Sequence, residues 1–381
     1  MAILKILHCA DIHLDSPYAG IDTPAAEVRR RELCAIFDRT VKKAIELGAQ
    51  LILIAGDLFD RPVCSANAKN EVFATLKSAG VPVVISPGNH DPYVKGGVYT
   101  EKDIPENVYI FSSEELGRFD FDELGVSVFG YAFTGGSYEN DPLADGVPLS
   151  ENNVNILCAH TDLHPAPSKY APMTAGAVSR AGFTYAAFGH IHNPPPPQRI
   201  GDCTMAYSGF MQGRSFDELG IGGAYLVDID RETKKVTLDR ITESELHYEI
   251  EVLDVTGCER DSEVSAKISS LITERGYDKN VALRVILRGA VHSSYTPSAK
   301  RIASGGGLSA LALLDVRDDT SPNLDLEYLE RDMTLRGEVY RELLPSLSSA
   351  DERERRVASL ALKAALAALD KRELTLGLDG E

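Results

Sequence analysis

Five short segments in the N-terminal half of the chain carry side chains whose types and spacing suit metal binding. They are Asp11-Ile12-His13, Gly56-Asp57-Leu58-Phe59-Asp60, Gly88-Asn89-His90-Asp91, Cys158-Ala159-His160 and Gly189-His190-Ile191-His192. The candidate ligands among them are carboxylates, an amide and imidazoles, with no thiolate. This mixture is typical of sites for divalent ions such as Mn²⁺, Fe²⁺ or Zn²⁺, and it is unlike a structural zinc site built from cysteines.

The candidate ligands outnumber those that one ion can use. There are seven of them: Asp11, His13, Asp57, Asn89, His160, His190 and His192. The set fills two sites if one carboxylate is shared between them. Two ions about 3.5–4 Å apart can activate a water molecule and hold both oxygens of an in-line phosphoryl displacement. The residues alone therefore predict a dinuclear site for phosphoryl chemistry.

Each segment taken singly also has an ordinary structural explanation. Asp-x-His occurs in many loops, Gly-Asp after a strand is often a turn, and Gly-Asn-His-Asp suits a turn with a left-handed asparagine. That explanation does not account for five segments that each end a predicted strand and each donate only ligands of the metal-binding type. The remaining histidines of interest are predicted to be ordinary polar residues: His8, His164, His247 and His292.

The elements around these segments predict a layered α/β architecture. Short apolar runs at 51–55, 81–85, 126–133, 154–159 and 185–188 are typical of strands buried on both faces, and amphipathic stretches between the first runs predict helices. Ligands bind where loops leave the carboxyl ends of such strands. We therefore expect the five segments to meet at one edge of the fold.

The character of the sequence changes past Gly223. A helix that carries Val264, Ile268, Leu271 and Ile272 on one face lies between alternating strands, which predicts a separate small α+β domain. From 326 onward the sequence is helical, with an interruption expected near Pro345. The predicted division is a catalytic domain at 1–245, an α+β domain at 246–320 and a helical segment at 321–381.

Composition limits the partners that this chain can bind. The net charge of −18 argues against a long basic footprint on nucleic acid, so any contact with DNA must be local. The candidate contacts are Arg29, Arg30, Arg31, Lys95 and Lys102. Six scattered cysteines without a Cys-x-x-Cys pair predict reduced thiols in a cytoplasmic protein. No apolar run suits a membrane span, and no secretory signal is expected.

The ordered set of segments resembles the calcineurin-like metallophosphoesterases. The stretches 56–60, 188–192 and 207–216 are similar to the Mre11/SbcD branch of DNA-repair nucleases, and most of all to the YhaO-type bacterial exonucleases. This resemblance implies an α/β sandwich of two sheets flanked by helices, a smaller α+β cap domain and C-terminal helices. It also implies two divalent ions, Mn²⁺ first, with Fe²⁺ or Zn²⁺ as alternatives.

The resemblance also assigns roles to individual residues. One ion would be held by Asp11, His13, Asp57 and His192, and the second by Asp57, Asn89, His160 and His190. His90 matches the catalytic histidine of the family, which helps the leaving oxygen depart, and Asp60 would orient it. A metal-bridged hydroxide would be the nucleophile.

Three functions remain open from the sequence. The first is a DNA exonuclease or endonuclease in DNA repair that works with an SbcC/Rad50-like coiled-coil ATPase. The resemblance allows a homodimer, and the sequence leaves the oligomeric state open. The second is a phosphodiesterase for a small or cyclic nucleotide or a phospholipid, which the charge of −18 favours. The third is a non-catalytic scaffold of the same fold, which a complete ligand set disfavours.

The last helical stretch, 353–369, is apolar along more than one stripe. One side carries Val357, Leu360, Ala361, Ala364 and Ala368, with Leu362, Leu366 and Leu369 nearby. A terminal helix that packs only on its own domain needs a single stripe. We therefore expect the segment 321–381 to dock the ATPase, the alternative being that both stripes are buried within this chain.

Overall fold

The computed structural model describes residues 3–18, 23–163, 167–292, 295–305, 310–323 and 326–369. The contacts within the chain divide it into two compact units, Met1–Glu245 and Leu246–Glu381. Within the described ranges, no helix combines the length and the apolar character that crossing a bilayer requires.

The N-terminal unit contains twelve strands and three α-helices among the described residues. The strands are β1 (Ile3–Cys9), β2 (Leu51–Ile54), β3 (Val83–Ile85), β4 (Val108–Ile110), β5 (Gly117–Phe121), β6 (Val126–Gly130), β7 (Val154–His160), β8 (Tyr185–Gly189), β9 (Gln198–Ile200), β10 (Cys203–Tyr207), β11 (Ala224–Asp230) and β12 (Val236–Ile241). The helices are α1 (Thr23–Glu46), α2 (Ala66–Ser78) and α3 (Ala175–Ala181).

These strands form two six-stranded sheets, with spatial orders β12-β11-β1-β2-β3-β4 and β5-β6-β7-β8-β10-β9. In the first sheet β1 to β4 run parallel, and β11 and β12 join as antiparallel strands. In the second sheet β6, β7, β8 and β10 run parallel, while β5 and β9 are antiparallel edges. The sequence did not predict some of these strands, such as β5 and β9, which are short and partly exposed.

The core of this unit lies in layers. Because side chains alternate along a strand, Leu4 and Ile6 of β1 pack between the sheets while Leu7 and Cys9 pack in the layer that α1 and α2 cover. A third apolar cluster, which includes Val178 of α3, covers the outer face of the second sheet. The predicted sandwich of two sheets flanked by helices is confirmed.

The parallel strands of both sheets bring the five segments to their carboxyl ends. Asp11 follows β1, Asp57 follows β2 and Asn89 follows β3, while His160 ends β7 and His190 follows β8. The fold thus places them as the strand order of an α/β sheet requires.

The C-terminal unit has a three-stranded parallel sheet, in the order β13 (His247–Asp254), β14 (Val281–His292) and β15 (Leu313–Asn323). Its helices are α4 (Asp261–Arg275), α5 (Ala299–Ala303), α6 (Leu326–Arg331), α7 (Leu335–Leu347) and α8 (Glu352–Leu369). Val264, Ile268 and Ile272 of α4 are buried in one cluster with the apolar residues of β14, as their periodicity predicts.

The break between the two terminal helices lies close to its expected position near Pro345. It falls at 348–351, because α7 continues two residues past the proline to Leu347 and α8 begins at Glu352. Pro345 lacks the N–H that would bond to the carbonyl four residues earlier, and the helix ends within one turn of it.

In α8 the structure buries a stripe that includes Leu362 and Leu366, which pack on Leu329 and Tyr340 of the same unit. The other stripe stays largely open, with Val357 60% exposed. Part of the predicted docking segment, 324–325 and 370–381, lies outside the described residues.

Candidate metal centre

The backbone of the candidate centre is unusual at the ligand positions themselves. Asp11, His13 and Asp57 each have φ of 51°, and His190 has φ of 107°. Positive φ is uncommon for residues other than glycine and costs about 1–3 kcal/mol each. The main chain ties two of these loops together, because the amide of Asp11 donates to the carbonyl of Gly56 (3.1 Å) and that of His13 to the carbonyl of Asp57 (2.9 Å). Such strain persists only where the surrounding structure holds it.

Two glycines allow the segments to approach this closely. A Cβ atom on Gly88 would lie 2.2 Å from Oδ1 of Asp57, and one on Gly56 would lie 2.4 Å from Nδ1 of His160. No side chain larger than hydrogen fits at either position without displacing a candidate ligand. The glycines that precede Asp57 and Asn89 in the sequence are therefore part of the site.

Asp57 lies at the middle of the cluster. Its Oδ1 accepts a hydrogen bond from the amide of His90 (2.9 Å). Its Oδ2 lies 3.4 Å from Nε2 of His160 and 3.7 Å from Nε2 of His13. Burial acts to raise the pKa of Asp57, but the imidazoles of His160, His13 and His90 outweigh it and lower that pKa. One carboxylate oxygen thus faces both halves of the cluster.

The first half of the cluster combines Asp11, His13 and His192, whose ligand atoms lie within 4.8 Å of one another. The Nε2 atoms of His13 and His192 are 3.2 Å apart. Two nitrogens about 2.1 Å from one ion, at an angle of about 90–110°, lie about 3.0–3.4 Å apart. The spacing therefore suits a shared divalent cation. Burial raises the pKa of Asp11 to about 8, and the positive charge of His192 works against that rise.

The second half of the cluster combines Asn89, His160 and His190. Nδ1 of His160 lies 3.0 Å from the carbonyl oxygen of Ala55, to which it donates. In a neutral ring this leaves a lone pair on Nε2, which lies 2.9 Å from Oδ1 of Asn89. Two acceptors face each other here, and a cation between them accounts for the arrangement. The rings of His160 and His190 have centroids 5.1 Å apart.

Burial keeps most of the candidate imidazoles neutral, as metal ligands must be. Burial and the neighbouring His160 lower the pKa of His190 to about 4. Burial also lowers the pKa values of His13 and His160. His192 differs: burial opposes its protonation, but the hydrogen bond to Glu218 and the charge of Asp11 raise its pKa overall.

His90 and Asp60 lie beside the cluster in an arrangement that the sequence did not predict. We expected the carboxylate of Asp60 to orient His90. The structure instead places the main-chain carbonyl of Asp60 3.2 Å from Nδ1 of His90. The carboxylate of Asp60 turns to His13, with Oδ1 3.3 Å from Nδ1 in an imperfect hydrogen-bond geometry. The His90 ring packs edge-on against His13, with centroids 4.7 Å apart.

Asp91 supports the loops from behind. Its fully buried carboxylate accepts hydrogen bonds from the amides of Asp57 (3.1 Å), Gly88 (2.8 Å) and Phe59 (3.0 Å), and from the hydroxyl of Tyr99 (2.5 Å). Burial and the nearby charge of Asp57 raise its pKa to about 7, while these hydrogen bonds oppose the rise. Asp91 is the last residue of the Gly-Asn-His-Asp segment, but the sequence did not predict that its carboxylate would hold these loops by hydrogen bonds.

Arg214 and Glu218 also hold candidate site residues in place, and the sequence did not predict this. Nδ1 of His192 lies 2.8 Å from Oε1 of Glu218, whose side chain is 3% exposed. Arg214 pairs with Glu218 and also places Nη1 3.1 Å from Oδ1 of Asp60. Burial opposes ionisation of Glu218, but hydrogen bonds from His192 and Arg214 lower its pKa to about 2. The only sequence signal was that Arg214 lies within the stretch 207–216.

The structure separates the candidate DNA contacts. Arg30 and Arg31 line a cavity of about 630 Å³ together with Arg61, Asp15 and several other residues. Arg29 pairs with Glu32 on its own helix (3.2 Å). Lys95 and Lys102 are exposed and do not line that cavity.

Of the histidines predicted to be ordinary, His8 is fully buried with both ring nitrogens paired. Nδ1 lies 2.7 Å from the hydroxyl of Tyr185, and Nε2 lies 3.1 Å from the carbonyl of Phe188. His164 lies outside the described residues.

Comparison with known proteins finds a match between residues 4–194 and the family model for calcineurin-like phosphoesterases. The matched range contains all seven candidate ligands, but neither Arg214 nor Glu218.

Three curated relatives are similar over much of the chain. It is 28% identical to uncharacterized metallophosphoesterase YhaO of Bacillus subtilis (strain 168), over 75% of this chain and 72% of that protein. It is 24% identical to DNA double-strand break repair protein Mre11 of Methanopyrus kandleri, over 94% of this chain and 82% of that protein. It is 28% identical to the protein of that name from Aeropyrum pernix, over 58% and 57% of the two chains.

Proposed function

The chain belongs to the calcineurin-like phosphoesterase family, and from this premise we propose that it is a dinuclear metal-dependent phosphodiesterase that cleaves DNA during repair. The predicted family membership is confirmed. The observation that carries the proposal is the convergence of acceptor atoms around Oδ2 of Asp57, with His90 alongside. The names of the two Mre11 relatives, which are DNA double-strand break repair proteins, support DNA as the substrate.

We assign Asp11, His13, Asp57 and His192 to one metal position, and Asp57, Asn89, His160 and His190 to the other. Two divalent ions in these positions would supply an activated water and positive charge for the phosphoryl oxygens. Mn²⁺ is the proposed ion, and the oxygen and imidazole donors also suit Fe²⁺ or Zn²⁺. The protein contributes fixed donors and a backbone already strained into the binding geometry.

His90 is the proposed proton donor to the leaving oxygen. Its amide is held by Asp57 and its Nδ1 lies against the carbonyl of Asp60, so Nε2 is the nitrogen left for the substrate. Donation from Nε2 requires the doubly protonated ring, because Nδ1 carries the hydrogen that faces the carbonyl of Asp60. The hydrogen-bond partner that Asp60 offers this histidine is its main-chain carbonyl.

DNA contact is proposed to be local. The cavity lined by Arg30, Arg31 and Arg61 adjoins the loops that follow β1 and β2. It also contains Asp15, Glu27 and Glu71, so its charge is balanced and not strongly basic. We therefore expect binding to depend on salt less steeply than for a protein with about 6–10 phosphate contacts.

The C-terminal unit is proposed to serve as a cap (246–320) and a partner-docking segment (321–381) for a coiled-coil ATPase of the SbcC/Rad50 type. The open stripe of α8, with Val357 60% exposed, supports this proposal. Deleting α8 would not test it, because Leu362 and Leu366 belong to the core of the unit. We expect Val357→Glu to reduce ATPase capture while leaving the unfolding transition unchanged. Val252→Glu is the matched control, since Val252 is similarly exposed (53%) on β13 of the same unit.

A small phosphodiester is the second candidate substrate, which the net charge of −18 favours. The test compares hydrolysis of plasmid and single-stranded DNA with hydrolysis of bis-p-nitrophenyl phosphate by the full chain in Mn²⁺, with Asp57→Asn as the inactive control. Cleavage of both DNA substrates, lost in the control, supports the proposal. Hydrolysis of the small ester without cleavage of either DNA overturns the nuclease assignment and favours the second candidate. Hydrolysis of neither overturns both.

A further inference from the structure

Two residues outside the family-matched range lie behind the imidazoles of the first metal position. We propose that Glu218 and Arg214, together with the carboxylate of Asp60, form a clamp that fixes the rings of His192 and His13 and makes their metal position the tighter of the two. This inference rests on the proposed function, because it concerns one of the two metal positions assigned there. Arg214 and Glu218 are positioning residues in this proposal, since they act through the histidines.

The contact between Glu218 and His192 sets the tautomer of that ring. Glu218 can only accept, so Nδ1 of His192 carries the hydrogen across their 2.8 Å contact. Nε2, on the far side of the ring, then offers its lone pair towards Nε2 of His13, 3.2 Å away. A carboxylate behind a ligating imidazole fixes the ring and raises the basicity of its other nitrogen.

Arg214 extends the same support to His13. Its guanidinium pairs with Glu218 on one side and with Oδ1 of Asp60 on the other, 3.1 Å from Nη1. Asp60 in turn lies 3.3 Å from Nδ1 of His13. Because the guanidinium is planar with donors in a rigid fork, it can hold both carboxylates at once, which a lysine ammonium does less well. The two histidines are thus joined through one chain of charged groups.

The second metal position is supported differently. Nδ1 of His160 faces a main-chain carbonyl, that of Ala55, at 3.0 Å. The ring of His190 packs against Tyr170, with centroids 4.4 Å apart. A neutral carbonyl and an aromatic ring position these imidazoles without adding a full negative charge at hydrogen-bond distance.

This difference predicts unequal affinity. The clamp contributes two carboxylates and one guanidinium behind the first position, a net charge of −1. The first position also has its own carboxylate, Asp11, whereas the second has the neutral Asn89. A divalent cation therefore binds the first position more tightly and fills it first.

The test is a titration of the metal-free full chain with Mn²⁺ by calorimetry. Wild type is expected to show a tight and a weak binding phase. Glu218→Gln should weaken the tight phase about 10–100-fold, as loss of such a partner typically does, and leave the weak phase unchanged. The matched control is Asp217→Asn, an exposed carboxylate next in sequence whose contact is with Ser215. It should leave both phases unchanged.

Arg214→Lys keeps the positive charge but not the fork, so it should weaken the tight phase less than Glu218→Gln does. The melting temperature of each metal-free variant separates positioning from folding. Glu218→Gln that binds both ions as wild type does would overturn the proposal. The proposal would also be overturned if Glu218→Gln and Arg214→Lys each weakened both Mn²⁺-binding phases equally and each lowered the metal-free melting temperature. DNA cleavage is measured on the wild type alone. If the wild type binds two ions but does not cleave DNA, the proposed function is rejected. The clamp is then judged by the Mn²⁺ titration of the variants.

Discussion

Each unit of this protein buries a cluster of charged groups, and the two clusters differ in how completely they are paired. In the C-terminal unit, Nζ of Lys363 donates to Oδ2 of Asp318 (2.7 Å) and to the carbonyl of Thr320 (2.8 Å), which joins α8 to β15. In the N-terminal unit, the acceptor atoms of Asp57, His13, His160 and His192 point towards one another.

The difference distinguishes a buried cluster of charged groups that stabilises the fold from one that can bind a ligand. Burying a charge is tolerated when a partner satisfies it, as in the Lys363 pair. A cluster of acceptors without donors between them is stabilised by a cation that joins it or by a proton that one of its groups takes up, a state that the raised pKa of His192 favours. Both clusters are made of residue types that commonly ionise, so the direction of the lone pairs is what distinguishes them.

The largest expected effect comes from Asp57→Asn. It removes the carboxylate whose Oδ2 lies near both His13 and His160, so we expect loss of both proposed ions and a fall in DNA hydrolysis well beyond the 10–100-fold typical of an outer partner. Metal content by mass spectrometry and the rate of cleavage measure it, with circular dichroism to verify the fold. One ion per chain at saturating Mn²⁺ with full activity, in the wild type, would contradict the dinuclear assignment.

Lys363→Met tests the paired cluster. It leaves Asp318 buried without its cation, which costs about 3–5 kcal/mol in the free energy of unfolding. Urea unfolding measures the change, and metal binding should stay as in wild type. Lys300→Met, at an exposed position of α5, is the control and should change stability by no more than about 0.5 kcal/mol. Weaker Mn²⁺ binding by the Lys363 variant would show that the two clusters are not independent.

His90→Ala tests whether the residue beside the unpaired cluster is a ligand. We expect both ions to remain and the rate to fall about 10²-fold, the scale of lost general acid catalysis. Metal content and single-turnover rates decide this. Asn89→Ala, its neighbour, should instead lose one ion. If His90→Ala lost ions instead, the assignment of Asn89 as a ligand and His90 as the proton donor would be contradicted.

The smallest effect concerns His8, a fully paired buried group in the N-terminal unit. Burial lowers its pKa to about 3, whereas an unfolded histidine titrates near about 6.5. As pH falls below about 6.5 the unfolded chain takes up the proton first, so stability falls until about pH 3. Between pH 7 and pH 5 this one group costs about 2 kcal/mol. His8→Gln should lose correspondingly less stability over that interval in urea unfolding, and an equal loss in both proteins would reject the assignment.

The apolar runs were sufficient for a layered α/β fold and for bringing the candidate ligands together, because each segment follows a predicted strand. The sandwich of two sheets came from the family resemblance. The sequence did not predict the residues that hold the candidate ligands in place. Asp91, Arg214 and Glu218 are of types that occur throughout the surface. Only the fold shows that Asp91 and Glu218 are buried beside the candidate ligands and that Arg214 is part-buried there. The role of Asp60 was missed for a related reason, since a sequence does not say whether main chain or side chain faces a neighbour. In α8, two apolar stripes are visible in the sequence, but only the structure shows that the stripe with Leu362 and Leu366 packs on Leu329 and Tyr340.

The centre has a consequence for the order of events in folding. His13 and His192 approach to 3.2 Å across 179 positions of sequence, and they follow strands of different sheets. Contacts so distant along the chain form late, after the cost of closing the long loops has been met. Ions at the two proposed positions would therefore bind after the sandwich has formed and stabilise it by mass action. We expect addition of Mn²⁺ to slow unfolding and leave the refolding rate unchanged.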